Sequence, residues 1–154
     1  VVSGVTLNKN EAKITLCGVP DKPGVAVKLF KHLAVAQVSV DMIVQNVSHT
    51  RLTDISFTIA KNDCAKASKI AKKVAGEIGA NEVLLDEDIA RVSIVGVGMK
   101  SHHGVAAKMF GVMADNQINI EMISTSDISL SCIIKKKFAE RAVKKLHRAF
   151  GLNK

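Results

Sequence analysis

The sequence predicts an α+β fold of two ferredoxin-like βαββαβ modules, the first inserted in the second. Three observations predict it. First, Gly24–Asn46, GVAVKLFKHLAVAQVSVDMIVQN, returns at Gly104–Ser126 as GVAAKMFGVMADNQINIEMISTS, with nine of 23 aligned residues identical. An internal repeat of this kind defines the folding unit. Second, the apolar period in each copy switches between the strand value and the helix value in one shared order. Third, the first copy owns a closing strand and the second does not, because the chain ends four residues after Phe150. The spare strand, Val2–Leu7, fills the vacant place. The modules are therefore expected over residues 13–88 and over residues 1–7 plus 89–154.

The elements follow in order. Val2–Leu7 is a short apolar strand, and Asn8-Lys9-Asn10 is a polar turn. Ala12–Val19 is a strand ending in a loop, Pro20-Asp21-Lys22-Pro23-Gly24, whose second proline presets the first helical turn. Helix one is expected over Val25–Ala36, with Val25, Leu29, Phe30 and Leu33 on its apolar face and Lys28, Lys31 and His32 outward. Val38–Val44 alternates as a half-buried strand, with Ser39 and Asp41 outward. Asp54–Ala60 alternates likewise. Asp63 is expected to cap a second helix stopped by Gly79, and Asn81–Leu85 closes the sheet. The second copy repeats the plan: strand Arg91–Val97, loop Gly98–His103, helix Val105–Asn116, strands Ile118–Ser124 and Ile128–Ile134, helix Phe138–Phe150.

Composition narrows the function classes. The chain has 154 residues, 47% hydrophobic and 23% charged, ordinary for a globular protein. No run approaches the ~18 apolar residues of a membrane span, and no signal peptide is visible, so neither a membrane nor export is expected. Cys17, Cys64 and Cys132 are odd in number, widely spaced and set in apolar runs, which reads as buried, reduced core cysteines. Together these point to the cytoplasm. The chain begins at Val1 rather than methionine, so a longer parent protein is expected. The net charge of +8 raises a nucleic-acid-binding pair of ferredoxin-like domains as the alternative reading. The lysines, however, alternate with an apolar face in residues 61–74 and 135–148, as on a solvated helix, and the chain has neither Trp nor Tyr to stack bases. No nucleic-acid partner is expected.

Few motifs carry chemistry. GVGMKS, Gly96–Ser101, lacks the further glycine of either nucleotide loop it partly matches. His102-His103 has no ligand partner at metal-binding spacing. Asp86-Glu87-Asp88 reads as a solvated hinge. No catalytic constellation stands out, so no catalytic residue, metal or cofactor is expected in this chain. The two loop-to-helix junctions are different. A helix start presents N–H groups and a positive dipole end to a carboxylate, and Gly24 and Gly104 admit a ligand close to the backbone. The following strands offer Ser39, Asp41, Gln45 and Asn46 in the first copy and Asn119, Glu121, Ser124, Thr125 and Ser126 in the second. Asp41 and Glu121 occupy matching places and suit an ammonium group. Read from spacing alone, ordinary capped turns remain the open alternative.

The repeated β-turn-α-β unit with its DKPG and MKSH turns resembles the ACT domain, a family of amino-acid-sensing modules. ITLCGVPDKPGVAVKLF, VSVDMIVQNVS, TDISFTI, VSIVGVGMKSHHGVAAKMF and INIEMISTSDISLSCII are similar to the tandem regulatory ACT domains of aspartokinases. The resemblance covers nearly the whole chain. Its departures are MKSHHG where MKSHPG is usual, and a short loop at Val47–Thr53. It implies a regulatory part without the kinase fold, a homodimer, and partnership with an aspartokinase catalytic domain or alpha subunit. It also implies lysine or threonine as the free amino acid bound, with feedback inhibition of aspartate phosphorylation as the result. Family sites lie between ACT domains, often across a dimer. The resemblance implicates Asp21, Lys22, Pro23, Gly24, Val25, Ala26, Gln45 and Asn46 in the first copy. In the second it implicates Met99, Lys100, Ser101, Asn119, Ile120, Glu121 and Thr125.

Overall fold

The computed structural model describes residues 2–47, 50–99 and 102–152. Its elements in chain order are β1 Val2–Asn8, β2 Glu11–Pro20, α1 Val25–Val35, β3 Val40–Val47, β4 Leu52–Ala60, α2 Cys64–Ile78, β5 Glu82–Asp86, β6 Ile89–Gly96, α3 Val105–Asp115, β7 Met122–Thr125, β8 Ser129–Lys135 and α4 Ala139–Ala149. Asn10–Glu87 form one compact unit; the residues up to Lys9 and those from Asp88 onward form the other.

The first unit is a four-stranded antiparallel sheet ordered β3-β4-β2-β5 under α1 and α2. Alternate residues of a strand face opposite sides, and here one side is the core. Ile14 and Leu16 of β2 join Ile55, Phe57 and Ile59 of β4, Leu29 and Leu33 of α1, and Ala67, Ala71 and Val74 of α2 in one buried cluster. Small residues on α2 let that helix approach the sheet closely, while Lys66, Lys69, Lys72 and Lys73 stay exposed on its outer side.

The second unit repeats the order as β7-β8-β6-β1, so β1 takes the place that β5 holds in the first. It pairs antiparallel with β6, from Val2 opposite Gly96 to Asn8 opposite Arg91. Val2, Val5 and Leu7 pack on a core of Val92, Ile94, Leu130, Cys132, Ile134, Met109, Met113 and Leu146. The first module is thus inserted in the second, between β1 and β6.

Three left-handed backbone positions recur 80 residues apart and explain part of the repeat. Gly18 and Gly98 have φ of 65° and 67°, Gly24 and Gly104 have 90° and 89°, and Gln37 and Gln117 have 61° and 59°. The glutamines end α1 and α3. Val38 N–H donates to the Leu33 carbonyl at 2.9 Å, and Ile118 N–H to that of Met113 at 2.9 Å. That is the six-to-one bond of a Schellman ending, which satisfies carbonyls the helix leaves open.

Several element boundaries differ from those expected. Asp63 makes no side-chain cap; a 3-10 turn over Lys61–Asp63 leads into α2 instead, and Lys136–Phe138 does the same for α4. The strand expected from Ile118 starts at Met122, although Glu121 N–H already donates to the Ile133 carbonyl at 2.8 Å. Cys64 and Cys132 are buried, but Cys17 is half-buried, because it lies beside the β2 bulge on the sheet face away from the helices. Among the described residues, no helix is long and apolar enough to cross a membrane.

Candidate functional site

Gly24 is the N-cap of α1 and Gly104 that of α3, and neither start has a side-chain cap or an acid in its first turn. The orphan N–H groups of a helix start need an acceptor; the Val25 N–H donates to the Lys22 carbonyl at 3.4 Å and the Val105 N–H to that of His102 at 3.5 Å, and among the described residues no side chain caps either start. A Cβ on Gly24 or Gly104 would meet nothing within 4 Å, so space lies open before both starts. The loop before α1 is held from behind: Asp21 N–H donates to the Arg51 carbonyl at 2.9 Å and Lys22 N–H to that of Pro20 at 3.0 Å. Asp21, Lys22, Pro23 and Gly24 are exposed, and Val25 and Ala26 half-buried.

Register decides which strand residues join them. Thr53 pairs with Val19 on one side and with Val47 on the other. The ends of β2 and β3 therefore stand level, and exposed Gln45 and Asn46 share an end of the sheet with residues 21–26. The Thr53 hydroxyl, buried between them, donates to the Asn46 carbonyl. Asp41 is not in this group. Its neighbour Val40 is level with Ile59 and Ala12, at the other end of the sheet. Gln45 lies four residue steps along the strand from Asp41, about 13 Å.

The second module divides in the same way. A cavity of 280 Å³ opens beside the α3 start, lined by Met99, His102, His103, Thr125 and Leu130 with residues 104–106. Buried Met99 is fixed by its N–H donating to the Asp127 carbonyl at 2.7 Å. Met99 and Thr125, far apart in sequence, thus line one cavity. Lys100 and Ser101 lie outside the described residues. Asn119, Ile120 and Glu121 precede β7 at the opposite end, level with Ile133 and Arg91. There Glu121 Oε2 lies 3.4 Å from Lys135 Nζ, with its side chain 18% exposed. This acid already faces a cation of its own module. His102, His103 and Leu130 were missed as lining residues; the histidines were legible only as a turn.

The thiols are held in their neutral form. Burial pushes the Cys132 thiol up to about 12. Burial also raises Cys64, with Glu87 adding to it. The geometry at the two helix starts suits a small zwitterion, with N–H groups for a carboxylate and side-chain amides or hydroxyls beside it.

The family model described as the ACT domain matches residues 14–74 and 92–150. The aspartokinase of Pseudomonas aeruginosa is 52% identical over 153 residues, 99% of this chain, which spans 37% of that relative's length. A crystal structure of aspartokinase alpha and beta subunits superposes with a TM-score of 0.93 at 45% identity, covering 99% of this chain and 100% of the other. The ligand-free regulatory subunit of aspartate kinase from Thermus thermophilus gives 0.93 at 44% identity, covering 97% and 98%. The chain therefore belongs to the ACT domain family, as the regulatory part of an aspartokinase.

Proposed function

We propose that this chain senses lysine or threonine and, when occupied, feedback-inhibits aspartate phosphorylation by an aspartokinase catalytic domain or alpha subunit in the cytoplasm. Lysine is the favoured ligand, with threonine as co-effector. The observation that carries the reading is the pair of uncapped helix starts at Gly24 and Gly104, with matching φ and open space before each. The α-carboxylate sits on the N–H groups of residues 24–26 or of their counterparts after Gly104. Asp21, Lys22, Pro23, Gln45 and Asn46 share the sheet end of the first position; Met99 and Thr125 line the cavity at the second. Asp41, Asn119, Ile120 and Glu121 stand at the far strand ends, beyond the reach of one free amino acid seated at the helix start of the same module. A second copy of the chain is what supplies such a strand end, and a homodimer follows. The Glu121 carboxylate is then shared between the ligand ammonium and Lys135. Edge strands with unpaired backbone groups favour such pairing.

Calorimetric titration with each amino acid tests the ligand. Gln45→Ala is expected to weaken binding roughly tenfold, the scale of one charge-assisted hydrogen bond. Wild-type affinity in Gln45→Ala, Asp41→Ala and Glu121→Ala alike, or no binding by the parent chain, defeats the assignment. Light scattering should show a dimer with and without ligand; a monomer at high concentration under both conditions contradicts the two-copy site.

A further inference from the structure

We propose that the first module carries a second amino-acid subsite on the sheet face away from its helices, where Asp54 receives the ligand's ammonium group. It rests on the reading that this chain binds free amino acids, and places part of that binding around Asp54, Asn81 and Cys17, which neither the repeat nor the family pattern implicates, with Asn46 as the one residue shared with the pattern. A cavity of 360 Å³ opens there, lined by Cys17, Gly18, Asn46, Thr50, Asp54 and Asn81 among its walls. Strand alternation explains the face: Leu16 and Ile55 are buried on the helix side, so their neighbours Cys17 and Asp54 point the other way. The β2 bulge falls between Leu16 and Val19, and within it Gly18 has φ of 65°. A Cβ at Gly18 would lie 2.1 Å from the Asn81 amide nitrogen. The absent side chain therefore leaves room for Asn81, whose own N–H donates to the Cys17 carbonyl at 2.8 Å.

The polar groups converge with a definite chemistry. Asp54 Oδ1 accepts the Gly18 N–H at 3.0 Å, and a carboxylate has a second oxygen to offer. Asn46 and Asn81 bring amides that hydrogen-bond either end of a zwitterion. The Cys17 thiol is raised by burial first, then by the charges of Asp54 and Glu82, so the local field is negative although the chain is basic. The second module supplies a comparison within one chain. The residues matching Asn46 and Asp54 are Ser126 and Ser129, and they close on each other, with hydroxyls 3.1 Å apart and Ser129 N–H donating to Ser126 Oγ at 3.1 Å. Only the first module has an acid and an amide there, facing a cavity.

Titration calorimetry of the full chain with L-lysine and L-threonine tests the subsite. Asp54→Asn keeps an oxygen acceptor for the Gly18 N–H and removes the charge. It should weaken binding of at least one of the two tenfold or more, with the thermal midpoint within about 2 °C of the parent. Asn81→Ala, which leaves the Asp54–Gly18 hydrogen bond intact, should weaken the same ligand severalfold. Parent affinity for both amino acids in Asp54→Asn overturns the proposal. So does parent affinity in Asn81→Ala should Asp54→Asn fail to fold. Gln45→Ala, measured alongside, separates the two readings. Binding lost there but kept in Asp54→Asn preserves the helix-start site and removes this one; no binding by the parent chain removes both.

Discussion

Removal of residues 2–8 is expected to unfold the second module and leave the first folded, although the deletion is more than 80 residues from most of the structure it destroys. β1 is paired along its length with β6, and Val2, Val5 and Leu7 cover one margin of the core behind it. Each ladder hydrogen bond lost contributes about 1 kcal/mol, and each of the three apolar side chains about 1 kcal/mol or more. The total is at least about 5 kcal/mol, comparable with the whole stability of a domain this small. β6 is also left as an exposed apolar edge, which invites pairing with other chains. The first module has no such debt, since β5 closes its sheet from within its own segment. Hydrogen exchange reads the outcome directly. Amides of β6 and β8 should lose protection by orders of magnitude while those of β2 and β4 keep theirs. Unchanged protection in β6 and β8 means that β1 is ornamental to the sheet.

The same strand shows what a sequence discloses and what it hides. The repeat made both modules legible, and the shortage of a closing strand identified β1 by elimination. The helix ends were legible to within about a residue, but the left-handed conformation that Gln37 and Gln117 share at the ends of α1 and α3 was not, since glutamine carries no local signal for it. Nor was long-range register. Nothing local to Glu121 announces that Lys135 faces it across β7 and β8. Nothing local to Asp41 says that it stands at the opposite sheet end from Gln45. Both follow from which residue a strand meets on its neighbour, a matter of tertiary pairing. The 3-10 entries to α2 and α4 escaped for a related reason. Asp63 has the chemistry of a cap, but it sits inside the turn rather than before it. The Asp54 pocket was half legible. Alternation in TDISFTI puts Asp54 on the outer face, but only the bulge at Gly18 and the approach of Asn81 make a cavity there.

The largest single-residue effect is expected at Phe57. It is wholly buried on β4, a central strand, opposite Ile14 of β2 and Ile43 of β3. Phe30 of α1 meets its ring edge-on, with centroids 5.6 Å apart and planes at 75°. Phe57→Ala should cost the first module about 3–5 kcal/mol, from lost apolar transfer and the cavity left behind. Loss of the ring pair accounts for roughly 0.5–1.5 kcal/mol within that. The effect reaches the ligand, because Leu29 and Phe30 seat α1 on this part of the core and Gly24 opens that helix. Apparent affinity should therefore fall with the folded fraction, and saturating amino acid should restore part of the stability by mass action. The repeat supplies the control. The matching position on β8 is Cys132, whose small side chain packs with Sγ 4.0 Å from Met109 Sδ. Cys132→Ala removes one atom where Phe57→Ala removes a ring, so it should destabilise its module far less. Denaturant unfolding followed by hydrogen exchange in β2 and β4 for one variant, and in β6 and β8 for the other, measures both. If the Phe57→Ala midpoint falls no further than that of Cys132→Ala, then the first core is not built on that ring, and the seating of α1 has to be sought in Leu29 and Leu33 instead.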